Sequence, residues 1–118
     1  MSNREPRTKE ALSEVLDMIS RSVTDWETTP LKSANQMGNY KDYPLHKVAI
    51  WGDIDAAIVL LAHGADINAR GEDGDTPLHR ASVGGNPEMI AFLVSQNADP
   101  TLRNRFGERA VRNLDAGE

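Results

Sequence analysis

Cysteine is missing from this sequence, and with it go disulfides, thiolate nucleophiles and cysteine-ligated zinc. A reducing compartment is therefore allowed. Aromatic residues are nearly as scarce, with two each of Phe, Trp and Tyr, so a core has to be built from aliphatic side chains. No apolar run approaches the about 20 residues of a membrane-spanning helix, and MSNREPRTKE at the N-terminus lacks a secretory apolar stretch. The expectation is a cytoplasmic protein with no membrane partner. Basic charge is also in deficit: 13 Lys and Arg stand against 18 Asp and Glu, leaving a net charge of −5. That balance lacks the footprint of a phosphate-binding surface, so nucleic acid is not an expected partner. The same field would favour a basic protein partner, although it also serves solubility.

What is present fits one folded domain. The chain has 118 residues, 39% of them hydrophobic and 26% charged, which suits a soluble fold near the lower end of comfortable core size.

The strongest pattern is internal. Pro44, Leu45 and His46 recur as Pro77, Leu78 and His79 at an offset of 33 residues. The match continues through Asp42/Asp75, Gly52/Gly85, Leu60/Leu93, Ala65/Ala98, Asp66/Asp99 and Arg70/Arg103. A period of this size marks a supersecondary unit that stacks on its neighbours. In the second copy, Thr76 is a good N-cap and Pro77 a good first helical residue, so a short helix is expected from Pro77 to about Val83. Gly84-Gly85 stops it, and Asn86-Pro87 repeats the cap-then-proline start for a helix through Met89, Ile90, Leu93 and Val94. Asn97 then stands where Gly64 stands in the first copy, and both tolerate the left-handed conformation that closes a helix. The first copy predicts helices from Pro44 to about Ile50 and, after Asp53 as N-cap, from Ile54 to His63. Ile54, Ile58 and Leu61 are expected to form the inward stripe of the latter. Between the copies, Asp73-Gly74 signals a tight projecting turn.

DGDTPLHRASVGGN and LLAHGADINAR resemble the ankyrin repeat, whose units read roughly DGxTPLHxAA, then GH, an apolar LL, and GADVNA. The resemblance covers about residues 39–104 and implies an all-α fold, a short ankyrin-repeat solenoid of helix-turn-helix units with hairpin loops. The domain expected is single, over 1–118: an N-terminal helical cap at 1–38, repeats at 39–70 and 71–103, and a truncated capping repeat at 104–118. In the last, Val111 falls on Leu78 and Leu114 on Ala81, while Arg109, Arg112, Asn113 and Asp115 make it polar. In the first, Leu12, Val15, Leu16, Ile19, Val23 and Trp26 follow helical spacing, so a helix from about Arg7 to Arg21 is expected to cover the open face of the first repeat.

TPLKSA, beginning at Thr29, looks like a third copy of YPLHKV and TPLHRA but precedes YPLHKV by only 14 residues. That is too little for a helix pair and a hairpin. Thr29-Pro30 is expected to start a short helix through about Ala34, ended by Gly38, in a degenerate leading unit with a loop over residues 35–40 beside Trp51.

Three histidines invite a metal or acid–base reading. His46 and His79 occupy one place in successive units and so should stand roughly 10 Å apart, the spacing of packed helices, too far to share a zinc ion. The resemblance implies that this histidine ties neighbouring repeats together by hydrogen bonds. His63 falls at the end of an outer helix, a natural place for partial positive charge. Asp66, Asp73, Asp75 and Asp99 are explained first by scaffold hydrogen bonding, and GEDGD lacks calcium-hand spacing. No phosphate loop, Ser-His-Asp order or metal-binding helix motif appears, so no catalytic residue, metal or cofactor is expected. A metal-dependent enzyme using His46, His63 and His79 is the competing reading.

The resemblance implies a protein-binding module that uses hairpin tips and the concave face of the first helices. The matching positions are Tyr40, Asp42, Lys47, Ile50 and Trp51, then Glu72, Asp73, Asp75, Arg80 and Val83, then Arg105, Phe106 and Glu108 in the last unit. Trp51 is singled out because its counterpart is Gly84. Its ring either anchors an interface or packs on the N-terminal segment and seals the core. The expected partner is a protein, with the chain monomeric when free. An alternative is an immunity or inhibitor protein that neutralises a cognate toxin or enzyme, and another is a scaffold whose N-terminal helix undocks.

Overall fold

The computed structural model describes residues 9–111; Arg7, where the first helix was expected to begin, and Arg112 to Asp115 of the last unit lie outside that range. Five α-helices form among the described residues: α1 (Lys9–Ser22), α2 (Pro44–Trp51), α3 (Ile54–Ala62), α4 (Pro77–Val83) and α5 (Pro87–Ser95). No strand forms among them, only a single antiparallel bridge between Arg103 and Arg109.

The start of each helix follows from its first residues. The Thr76 hydroxyl accepts from the His79 N–H at 3.3 Å, and His79 Nδ1 accepts from the Thr76 N–H at 3.0 Å. Histidine thus fills the place that glutamate takes in a capping box. His46 does the same for the Tyr43 N–H at 3.0 Å. The outer helices use Asp53, which accepts from the Ala56 N–H at 3.1 Å, and Asn86, which accepts from the Met89 N–H at 3.0 Å. Asn97 closes its unit at φ 75°, matching Gly64 at φ 96°.

α2 lies against α4 as an inner pair, α3 packs on α2, α5 on α4, and α1 on both α3 and α2. Leu45, Val48, Ala49, Ala57 and Leu60 build the first half of the core, and Leu78, Ala81, Met89 and Leu93 the second. Leu16, Ile19, Trp26, Leu31 and Ala34 continue that core into the leading segment.

Two expectations fail here. Ile58 is exposed, and the inward face of α3 is Ala56, Ala57 and Leu60, with Ile54 and Leu61 partly buried. Small residues at the seam bring α3 close to its neighbours, and their helical spacing leaves Ile58 one position off the stripe. TPLKSA forms no helix. The Gln36 side chain captures this backbone instead: its Oε1 accepts from the Lys32 N–H at 2.8 Å and its Nε2 donates to the Pro30 carbonyl at 2.9 Å. Leu31 and Ala34 bury themselves from an irregular chain.

Candidate protein-binding face

The projecting turn between the repeats needs two left-handed residues. Asp73 has φ 62° and Gly74 φ 74°, and the turn is closed by Gly71 N–H donating to Asp75 O at 2.7 Å. The same closure recurs one period on, from Asn104 N–H to Glu108 O at 2.9 Å, and one period earlier, from Gly38 N–H to Asp42 O at 2.8 Å. There are therefore three hairpins in register: the one that Asp73-Gly74 signals and, on either side, those whose tips the resemblance puts at Tyr40 and Phe106. Register reaches back even further: Asn68 Oδ1 accepts from the Asp99 N–H at 3.0 Å, and Asn35 Oδ1 accepts from the Asp66 N–H at 3.2 Å. Its mark in the sequence is three scattered residues: Asn35, Gly38 and Asp42 precede Asn68, Gly71 and Asp75 by one period each.

Histidines fasten each hairpin to the unit before it. Backbone N–H groups can only donate, so Nδ1 of His46 and of His79 is the acceptor and Nε2 carries the proton. His46 Nε2–H donates to Asp75 O at 2.8 Å and to Ala69 O at 3.1 Å, and His79 Nε2–H to Glu108 O at 2.8 Å. His63 Nδ1–H turns back to its own helix end, at 2.9 Å from Val59 O. Among the described residues, no group of three or more His, Cys, Asp or Glu is placed to hold a metal ion.

Beneath the hairpins runs a ladder of charge. Arg80 grips Asp42 with two nitrogens, at 2.7 and 3.0 Å, and reaches Asp75 through Nε at 3.2 Å. Lys47, its counterpart one unit earlier, bridges Asp42 at 3.3 Å and Asp25 at 3.2 Å. Asp42 also accepts from the Glu72 N–H at 3.0 Å, and Asp75 from Asn104 Nδ2 at 2.9 Å. Burial alone would raise the Asp42 pKa, but the Glu72 N–H and Arg80 outweigh it and hold the carboxyl below its ordinary value. Burial lowers the His46 pKa, keeping the ring neutral in the tautomer its hydrogen bonds require.

This ladder removes Asp42 from the expected contact surface: only 2% of it is exposed. Asp42, Lys47, Asp75 and Arg80 spend their charge on one another because each inner helix places its cation between the acids of two successive hairpins. Ile50 is half-buried, and Asp73 is partly occupied by Arg105, whose Nε lies at 3.1 Å. The remaining positions face water: Tyr40 at 56%, Phe106 at 61% and Val83 at 70%, with Glu72 also exposed. Trp51 is 40% exposed. Its counterpart Gly84 is constrained by packing, since a side-chain carbon there would fall inside contact distance of the Ile50 carbonyl. Sequence reasoning missed Asp25, Asn104 and the exposed Met37. Only the fold shows that Asp25 stands in for a hairpin acid.

Tyr40, Asp73 and Phe106 are equivalent residues at one-period spacing, so the tips form a row of aromatic, acid, aromatic. Arg105 stands between the last two, its guanidinium 4.8 Å from the Phe106 ring centre. No described helix is long and apolar enough to cross a membrane.

Residues 45–94 match the family model for ankyrin repeats, and the comparison with curated proteins gives no match. Ankyrin repeats are generally protein–protein interaction modules and typically non-catalytic. The matched residues form two helix pairs joined by a hairpin in one register, so this stretch of the chain is built as ankyrin repeats are.

Proposed function

We propose that the protein binds a partner protein through the row of hairpin tips and the adjoining first-helix ends. The observation that carries this reading is the exposure of Tyr40 and Phe106 at equivalent tips, with Trp51 and Val83 also open to water. Aromatic rings bury much area at small entropic cost and are the usual anchors of an interface. Each hairpin is closed by its own backbone hydrogen bond, so little ordering within a tip is left to do on binding. The partner is basic: Glu72, Asp73 and Glu108 stand along the tips, the ladder beneath has used its cations internally, and the whole chain carries −5. The working compartment is the cytoplasm, and no cofactor takes part.

The test is affinity purification from the native source with mass spectrometry, comparing the wild type with Tyr40→Ala/Phe106→Ala and with Trp51→Ala. The expected result is a basic protein retained by the wild type and lost by the double variant, whose melting temperature stays within a few degrees. Equal retention by all three would overturn the reading. Trp51→Ala separates the two roles of that ring, since an anchor loses affinity without melting temperature and a core residue does the reverse.

A further inference from the structure

The junction between the leading segment and the first repeat is built less completely than the junction between the repeats. Between the repeats, Asp42 is met at both oxygens by Arg80, by Lys47 and by an amide. At the leading junction Asp25 is buried as well, but only Lys47 reaches its carboxylate, and Oδ2 has no hydrogen-bond partner among the described residues. A buried carboxylate oxygen without a donor favours any state that returns it to water. The hairpin at this junction is itself strained. Lys41 holds φ 76° where the equivalent residues are Gly74 and Gly107, and a side chain in that region crowds its own carbonyl.

We propose that residues 9–37 form a unit that opens away from the repeats while α2 to α5 stay folded, with the hairpin at 38–42 as its hinge. The opening bears on the tip row. Asn39 N–H donates to the Asp25 carbonyl at 2.7 Å, so docking of the leading unit adds a second hold on the tip that carries Tyr40, beside the Gly38 to Asp42 closure. Resting on the binding reading above, a partner that grips Tyr40 selects the closed state, and closure in turn raises its affinity. Opening itself belongs to the free chain and is measured without any partner.

Hydrogen exchange on the free, full-length chain tests this. Amides of Val15 to Ile19, inside α1, should be at least about tenfold less protected than those of Ala81 and Leu93. Trp26→Ala removes a buried ring whose Nε1–H donates to the Gln36 carbonyl at 3.2 Å. It should lower α1 protection by about tenfold more and leave α4 and α5 unchanged. Lys41→Gly relieves the hinge and should raise α1 protection a few-fold. One common protection factor across α1, α4 and α5, moved together by either variant, would overturn the proposal. If Trp26→Ala does not fold, the wild type and Lys41→Gly decide it by the same comparison.

Discussion

Asp42 and Asp25 are both buried aspartates that share Lys47, yet one belongs to a repeated unit and the other to the segment that stands in for one. Asp42 is satisfied from three sides because it lies between two repeats: the Glu72 amide, Lys47 of its own unit and Arg80 of the next all reach it. Asp25 arrives from an irregular chain that reproduces the position of the acid without its surroundings. The fold therefore repeats a charge geometry beyond the point where it repeats a sequence. Completeness of pairing separates an interior junction from a terminal one, and burial does not.

The sharpest break of that comparison is substitution of the two acids. Asp42→Ala leaves Arg80 with Asp75 alone and strands the Glu72 amide, and losing one partner of a buried ion pair costs about 3–5 kcal/mol. Asp25→Asn keeps the shape and removes a charge met by only one cation, so its effect should stay within about 1 kcal/mol. Urea denaturation of both variants checks this. Equal losses would mean that the two junctions are energetically alike.

A smaller effect is expected where the units meet through backbone. Gly84 abuts the Ile50 carbonyl, so Gly84→Ala forces a fixed atom to move and should cost about 1–3 kcal/mol. Gly64→Ala meets open space and carries only the penalty of its left-handed φ of 96°, about 1–2 kcal/mol. A thermal melt in which Gly84→Ala is neutral would show that the second unit can slide on the first.

Much of the repeated part was legible in the sequence because cap, proline and glycine positions each leave a local mark. Pro44, Pro77, Pro87, Asn86 and Asn97 act where their chemistry placed them. The leading segment hid its likeness because what it shares with the repeats is spread thinly. Asn35, Gly38 and Asp42 are single residues whose partners, the Asp66 amide, the Asp42 carbonyl and Arg80, become neighbours only after folding. TPLKSA misled for the converse reason: it carries the local mark of a helix start, but Gln36 offers its backbone better hydrogen bonds than a helix would. Of the candidate site, exposed aromatic tips could be read from the period, whereas the neutralised ladder needed the geometry between units.

The smallest effect expected is on pH dependence, and it should come from the repeat side of the comparison. Burial lowers the His46 pKa below the ordinary 6.5, so folding favours the neutral ring. Between the ordinary and the folded value the unfolded chain holds more protons, and stability falls as pH drops below about 6.5. The Asp42 carboxyl sits below its ordinary 3.8, so its contribution is complete above that value and is lost as pH falls through the folded value. Two stages of decline are expected, with a plateau above about pH 7. The Asp42 charge itself supports protonation of His46. Asp42→Asn should therefore shrink the lower stage, to which Asp99 also contributes through its Thr101 hydrogen bonds, and deepen the upper one, because the ring then resists its proton more strongly. Urea midpoints measured from pH 8 to pH 3 in both proteins decide the matter: an unchanged midpoint between pH 7 and pH 5 in the wild type would mean that His46 keeps its hydrogen bonds whether or not it is charged.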